Sequence, residues 1–329
     1  MTVAEPLTTE DTDAARAALR RAVRVAAGLE PCADHPFVAR TDAFLALEQA
    51  EVLRELDALL GGPQAGSGLE QLRRCGALAA ILPEVQALVG LHEDTARPVA
   101  AGRADYAHKD VWAHTCKVVD QSVPEPVVRW AALLHDVGKA RTRTVEADGT
   151  VHFLGHAEVG ARMARRILRR FGMPPERAAA IKFLVLHHLR AAQYDDTWTD
   201  SAVRRFAREM EGQLDTLLAL SRADITTQRA ARRAEGLRAL DILERRVKEI
   251  READARPVPL PKGLGNALIA AFALAPGPVV GTLRRAIEEA AERGELPMQA
   301  EPEVYVAWAR EHLAHLIPPA APPGKPADD

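Results

Sequence analysis

The chain has 329 residues, enough for two or three packing units and a substantial buried core. Abundant Ala, Leu, Arg and Glu, only 4% aromatic residues and few β-branched runs favour helices over sheets. A formal charge of −3 excludes nucleic-acid binding by bulk charge and leaves only a local basic face for that purpose.

Three cysteines, Cys32, Cys75 and Cys116, have no metal-type spacing and suit a reducing compartment. No apolar run approaches the roughly 20 residues that span a bilayer. The polar opening MTVAEPLTTEDTDAAR lacks the make-up of a signal peptide. A cytoplasmic protein with no membrane contact and no DNA partner is expected.

Residues 1–41 read as a disordered N-terminal extension. From Asp42, apolar Leu45, Val52, Leu56, Leu59 and Leu60 recur at helical steps until Gly61-Gly62-Pro63. A second stretch, Leu69 to Leu82, ends before Pro83, so residues 42–91 form a helical segment. His92–Arg103 lacks periodicity and carries Pro98 and Gly102, which marks a boundary. Residues 92–228 form the central domain, with most of the histidines. Within it, TRTVEADGTVHF predicts two short extended pieces turning at Asp148-Gly149. Phe171-Gly172-Met173-Pro174-Pro175 separates two helices, and Asp200-Ser201 caps another. Residues 229–317 form a C-terminal helical segment. It starts as a long Arg/Glu-rich helix to about Ala253, followed by a Pro-rich linker at Arg256–Lys262. Residues 318–329 read as a disordered tail.

Several polar residues lie on apolar helical stripes. His114 falls with Val111 and Val118, His135 with Val128, Ala131 and Ala132, and Asp136 is its neighbour. His156 leads into Val159, Met163 and Ile167. His188 shares a face with Ile181, Leu184 and Val185, whereas His187 points off it. Asp224 falls with Leu217, Leu220 and Ser221. Taken alone, each has an ordinary explanation: a satisfied core histidine, or an Asp136–Lys139 pair three residues apart. Taken together, inward imidazoles and carboxylates need a common partner, because a buried unpaired charge costs several kcal/mol or more. A divalent cation supplies one. Mixed imidazole and carboxylate donors suit Mn²⁺, Fe²⁺, Co²⁺ or Ni²⁺, with Mg²⁺ less favoured, and the lack of cysteine argues against structural zinc.

The order His114 … His135-Asp136 … Asp224, with LLHDVGKA at its centre, resembles the HD superfamily of metal-dependent phosphohydrolases. YAHKDVWAHTCKVV, FLGHAEVGA, LVLHHLR, SAVRRFAR and LSRADITTQ look like the HD domain carried by bacterial CCA-adding tRNA nucleotidyltransferases. The likeness runs from about Asp42 to Leu296. It implies an all-α fold, an HD core flanked by N- and C-terminal helical segments. His114, His135, Asp136 and Asp224 become ligands of one metal, and His156 and His188 match positions that hold a second metal bridged by the aspartate, so one or two ions are expected. The nucleotidyltransferase head, with its Gly-Ser motif and paired aspartates, has no counterpart in this sequence, so polymerase chemistry is not expected.

The resemblance further implies nucleotide phosphoester substrates, foremost 2′,3′-cyclic phosphodiesterase and phosphatase activity. Deoxynucleoside triphosphate hydrolysis is the enzymatic rival. Asp136 and Lys139 are the expected catalytic residues, and Lys139, Arg204 and Arg205 the phosphate-binding candidates. No Ser/His/Asp constellation or glycine-rich phosphate loop competes. A different class of role is an RNA-binding partner of a separate nucleotidyltransferase chain. Arg162, Arg165, Arg166, Arg169 and Arg170 on one helix, and Arg229, Arg232, Arg233 and Arg238 further on, form faces that suit RNA phosphates, tRNA included.

Overall fold

Thr8 opens the first helix with a reciprocal cap. Its hydroxyl accepts the Asp11 N–H at 3.2 Å, and the Asp11 carboxylate accepts the Thr8 N–H at 2.9 Å. In this computed structural model, which describes residues 6–318 apart from 35, 37, 94–108, 148–149 and 256–258, helix α1 (Thr9–Ala26) follows. The expected extension over residues 1–41 is thereby corrected over Thr9–Ala26. Ala15, Leu19, Ala22 and Ala26 recur at four- and three-residue steps and are buried in the main core. Three of these four are alanines, so the stripe is weak in hydropathy, although alanine is the strongest helix former.

The next helices are α2 (Thr41–Leu45), α3 (Gln49–Gly61), α4 (Ala65–Arg74), α5 (Ala77–Ile81) and α6 (Pro83–Gln86). The expected helix over 69–82 is broken at Gly76, whose φ of 81° is left-handed and costs little only for glycine. A two-residue pair, β1 (His92–Glu93) with β2 (Lys109–Asp110), leads into α7 (Val111–Gln121), α8 (Pro126–Leu134) and α9 (Lys139–Thr142). The hairpin β3 (Thr144–Val145) with β4 (Val151–His152) supplies the two short extended pieces, while its Asp148-Gly149 turn lies outside the described residues. Then come α10 (His156–Arg170), α11 (Pro175–His187), α12 (Asp200–Glu209), α13 (Leu214–Asp224) and α14 (Ala230–Ala255). Thr199, rather than Asp200-Ser201, caps α12: its side chain accepts the Ala202 N–H at 3.3 Å.

The chain divides into two compact units, Met1–Ile250 and Arg251–Asp329. The division falls neither at 92 nor at 228. Most of the segment 92–103 lies outside the described residues, and helices on both sides of it share one core. Leu240, Leu243, Val247 and Ile250 of α14 belong to that same core.

Polar ties join the N-terminal helices to the central ones. Asp57 on α3 accepts from Trp130 Nε1 on α8 at 2.6 Å, and its two oxygens take both terminal nitrogens of Arg177 on α11 at 2.6 and 2.8 Å. Buried Arg129 donates to the carbonyls of Val123 at 3.2 Å and Gly62 at 3.3 Å. The second unit has its own core, built by α15 (Leu264–Phe272), α16 (Pro278–Glu292) and α17 (Pro302–His312) around Leu268, Leu283, Ile287 and Tyr305. The architecture is all-α. No described helix is long and apolar enough to cross a membrane.

Candidate metal centre

Three helices end at the site. His135 directly follows the last residue of α8, His188 directly follows α11, and Asp224 is the final residue of α13. His114 lies mid-way along α7, and His156 is the first residue of α10. For His114, His135, His188 and Asp224 the apolar stripes that suggested them are buried faces, so each helix carries its polar side chain inward along with its packing residues; Val159 and Met163 of the His156 stripe are only half-buried.

The six side chains form two triads. In the first, His114 Nε2 lies 3.0 Å from Asp224 Oδ1 and 3.3 Å from His135 Nε2, and His135 Nε2 lies 3.6 Å from Asp224 Oδ1. In the second, His156 Nε2 and His188 Nε2 are 3.3 Å apart and lie 3.6 and 3.9 Å from Asp136 Oδ1. Asp136 joins the two. Its other oxygen, Oδ2, is 3.2 Å from His135 Nε2 and 3.6 Å from His114 Nε2. One carboxylate thus turns an oxygen to each triad.

The donor chemistry fits a cation. His135, His156 and His188 donate from Nδ1 to the carbonyls of Ala132, Phe153 and Val185, each three residues earlier, at 2.7–2.8 Å. A carbonyl only accepts, so these bonds keep the proton on Nδ1 and turn the Nε2 lone pair inward. His156 Nε2, His188 Nε2 and Asp136 Oδ1 therefore meet as three acceptors, an arrangement that a cation satisfies.

The electrostatics agree. Burial, together with His135 nearby, pushes His188 down to about 4, so its ring is neutral near pH 7. Burial opposes charge on Asp136 and Asp224, but the His135 and Lys139 cations hold Asp136 well below the usual carboxylate range, and the His114 hydrogen bond and the charge on His135 hold Asp224 low. His135 is pulled the other way: burial disfavours its charge, and Asp136 outweighs that and raises it.

Lys139 is buried, with Nζ 2.7 Å from Asp136 Oδ2 and over the Phe153 ring at 5.6 Å. It is the Asp136 partner that helical spacing suggested, and it stands beside the cluster. Gly138 lets α10 approach: a Cβ there would lie 2.0 Å from the His156 carbonyl oxygen. His187 stays outside the cluster and packs on Phe183, ring centres 4.4 Å apart. Arg204 and Arg205 lie outside these six side chains, none of which comes from α12, and Arg205 Nε lies 3.8 Å from Glu209. Helical periodicity overlooks two side chains beside the site. Thr226, two residues past the end of α13, has no periodic signature, and Phe153 sits in the irregular link before α10.

Residues 111–247 match the family model described as HD domain. Over 266 residues the chain is 34% identical to an A-adding tRNA nucleotidyltransferase of Deinococcus radiodurans, covering 78% of this chain and 58% of that protein. It is 33% identical over 266 residues to a CC-adding tRNA nucleotidyltransferase of Thermus thermophilus, covering 79% and 56%. A multifunctional CCA protein of Dechloromonas aromatica is 40% identical over 109 residues. The chain thus spans less than two thirds of the length of the first two relatives. Residues 111–247 of this chain are an HD domain, of the superfamily of metal-dependent hydrolases.

Proposed function

We propose that the chain is a metal-dependent phosphohydrolase acting on nucleotide phosphoesters, most directly on 2′,3′-cyclic phosphates and the monoesters they open to. The observation that carries this reading is the pair of triads joined through Asp136. His114, His135 and Asp224 would hold one divalent ion, and His156 and His188 a second, with Asp136 shared; Mn²⁺, Co²⁺, Ni²⁺ or Fe²⁺ suits the donors better than Mg²⁺. A bound ion of this kind lowers the pKa of coordinated water toward neutrality and offsets charge on phosphoryl oxygens. The protein's own contribution is orientation. The Nδ1 bonds fix the rings, Lys139 holds Asp136 Oδ2, and its ammonium adds positive charge where a phosphate would come to lie.

An RNA end as substrate has separate support. The relatives are named as tRNA nucleotidyltransferases. Arg162, Arg165, Arg166 and Arg169 form an exposed stripe on α10, the helix that begins with His156, and none has an ion pair among the described residues. Arg170 differs, being engaged with Glu84. Such a stripe suits backbone phosphates.

The test is a substrate screen with 2′,3′-cyclic nucleotides, nucleoside monophosphates and deoxynucleoside triphosphates, with Mn²⁺, Co²⁺ and Ni²⁺ each added to metal-stripped protein. Cyclic phosphodiesterase turnover that is lost in the His135→Ala, Asp136→Ala double variant is expected. Full activity in that variant overturns the site. Turnover of triphosphates alone moves the assignment to the rival hydrolase. Salt-sensitive tRNA binding without turnover moves it to a binding role.

A further inference from the structure

Four histidines line the centre, and one of them is held differently. His135, His156 and His188 each donate from Nδ1 to a carbonyl of their own segment three residues back. His114 instead faces a side chain from another helix end: its Nδ1 lies 2.9 Å from Thr226 Oγ1. A carbonyl can only accept, but a hydroxyl can donate or accept by rotating about its C–O bond.

The His114 geometry uses that freedom. Nε2 lies 3.0 Å from Asp224 Oδ1 and 3.3 Å from His135 Nε2. The nearer of these neighbours, the Asp224 carboxylate, only accepts. A neutral His114 therefore carries its proton on Nε2, and its Nδ1 must receive a hydrogen bond, which the Thr226 hydroxyl provides. For Nε2 to serve as a metal ligand the arrangement inverts. The proton then belongs on Nδ1, and the Thr226 oxygen accepts it. The ring stays neutral in both arrangements: one N–H bond is lost and one gained, with solvent carrying the proton between them.

The rest of α7 holds Thr226 in place. Lys117 Nζ donates to the Thr226 carbonyl at 2.8 Å, and Gln121 Nε2 to the Ala223 carbonyl at 2.7 Å. Residues 114, 117 and 121 share one face of α7, so the helix that carries the ligand also clamps the segment that carries its partner.

We propose that Thr226 is the positioning residue of His114, and that its hydroxyl is the reversible partner that lets this one ligand change tautomer between the metal-free and metal-bound centre. The proposal rests on the reading of the first triad as a metal site.

The experiment compares the wild type with Thr226→Val, which keeps the shape and removes the hydroxyl, and with Thr226→Ser, which restores it. Isothermal titration of metal-stripped protein with Mn²⁺ is expected to show about 10- to 100-fold weaker binding in the Val variant, the usual effect of losing such an outer partner, and recovery to within about threefold in the Ser variant. Nitrogen NMR of ¹⁵N-histidine-labelled wild type needs no variant. His114, identified by its absence in His114→Gln, should be an Nε2–H ring in the metal-free protein and an Nδ1–H ring after Zn²⁺ is added, whereas His156 and His188 stay Nδ1–H. Equal affinity in the Val variant, a Ser variant as weak as Val, or an Nδ1–H His114 before metal is added each overturns the proposal. If the wild type binds no metal at all, the metal reading itself fails, a result separate from these.

Discussion

Substituting alanine for Gly138 tests how closely the two triads depend on helix packing. Gly138 has ordinary helical angles, φ −67° and ψ −23°, so its role is one of space rather than backbone freedom. An added Cβ would lie 2.0 Å from the His156 oxygen, 2.7 Å from the Gly160 nitrogen and 2.9 Å from the His156 carbonyl carbon. All three atoms are backbone, so no side chain can swing aside. To reach ordinary contact the first turn of α10 must retreat by about 1 Å or more, and overpacking of this kind costs about 1–3 kcal/mol. For a unit of this size the loss lowers Tm by about 2–12 °C. The movement also draws His156 Nε2 away from Asp136 Oδ1, now 3.6 Å apart, and from His188 Nε2, now 3.3 Å apart. Calorimetric melting in chelator would measure the first effect, and the number of Mn²⁺ ions retained per chain the second. Gly281→Ala is the control. That glycine lies within α16 with nothing inside 4 Å of an added Cβ, and alanine there should be neutral or stabilising by up to about 1 kcal/mol. A Gly138→Ala protein with unchanged Tm and metal content refutes the reasoning.

Lys139→Met should weaken the metal-free protein by about 3 kcal/mol, since it strips a buried partner from the Asp136 carboxylate; urea unfolding in chelator checks this, and an effect below 1 kcal/mol speaks against the buried pair. Glu70 supplies a pH dependence. Burial opposes its charge, but Arg73, Arg74 and Trp112 Nε1 bond to it and lower it from 4.5 to about 2. The folded chain thus binds this proton less readily than the unfolded chain. The stabilisation is complete above pH 4.5 and fades as pH falls toward 2. Its full size is near 3 kcal/mol by linkage, and screening of a side chain that is 24% exposed reduces that to about 1–2 kcal/mol. Urea midpoints of the wild type and Glu70→Gln should converge as pH drops from 5 to 2, and a gap independent of pH removes this account.

The inward cluster was legible in the sequence because a buried polar residue on an apolar stripe leaves a periodic trace. His114, His135, His188 and Asp224 each fall in step with the Val, Leu and Ala residues that pack beside them. His156 was less clear: of the stripe Val159, Met163 and Ile167 only Ile167 is fully buried, and the packed face of α10 is made of Ala157, Gly160, Ala161, Ala164 and Leu168 beside it. Less was visible where the information is not periodic. The α1 stripe is mostly alanine, which carries little hydropathy, so the first helix leaves almost no trace in the pattern. The break at Gly76 depends on one left-handed residue inside an otherwise continuous apolar pattern. Arg204 and Arg205 stand out in the sequence by charge alone, and charge does not fix direction: the Arg205 guanidinium faces Glu209 on its own helix. The sharing of Asp136 between triads was implied by the family resemblance and not by periodicity, since turning one oxygen to each depends on helices far apart in sequence.

Three helices, α8, α11 and α13, finish against the cluster. The closing turn of a helix carries partial negative charge on its carbonyls, so the backbone itself adds to the field of Asp136 and Asp224. On the proposed reading, a phosphate approaching the metal-free protein would meet repulsion that the Lys139 ammonium, already bonded to Asp136 Oδ2, does not offset. On that reading occupancy would have an order built into the scaffold: the cation would enter first, and only then would the pocket change sign and accept an anion.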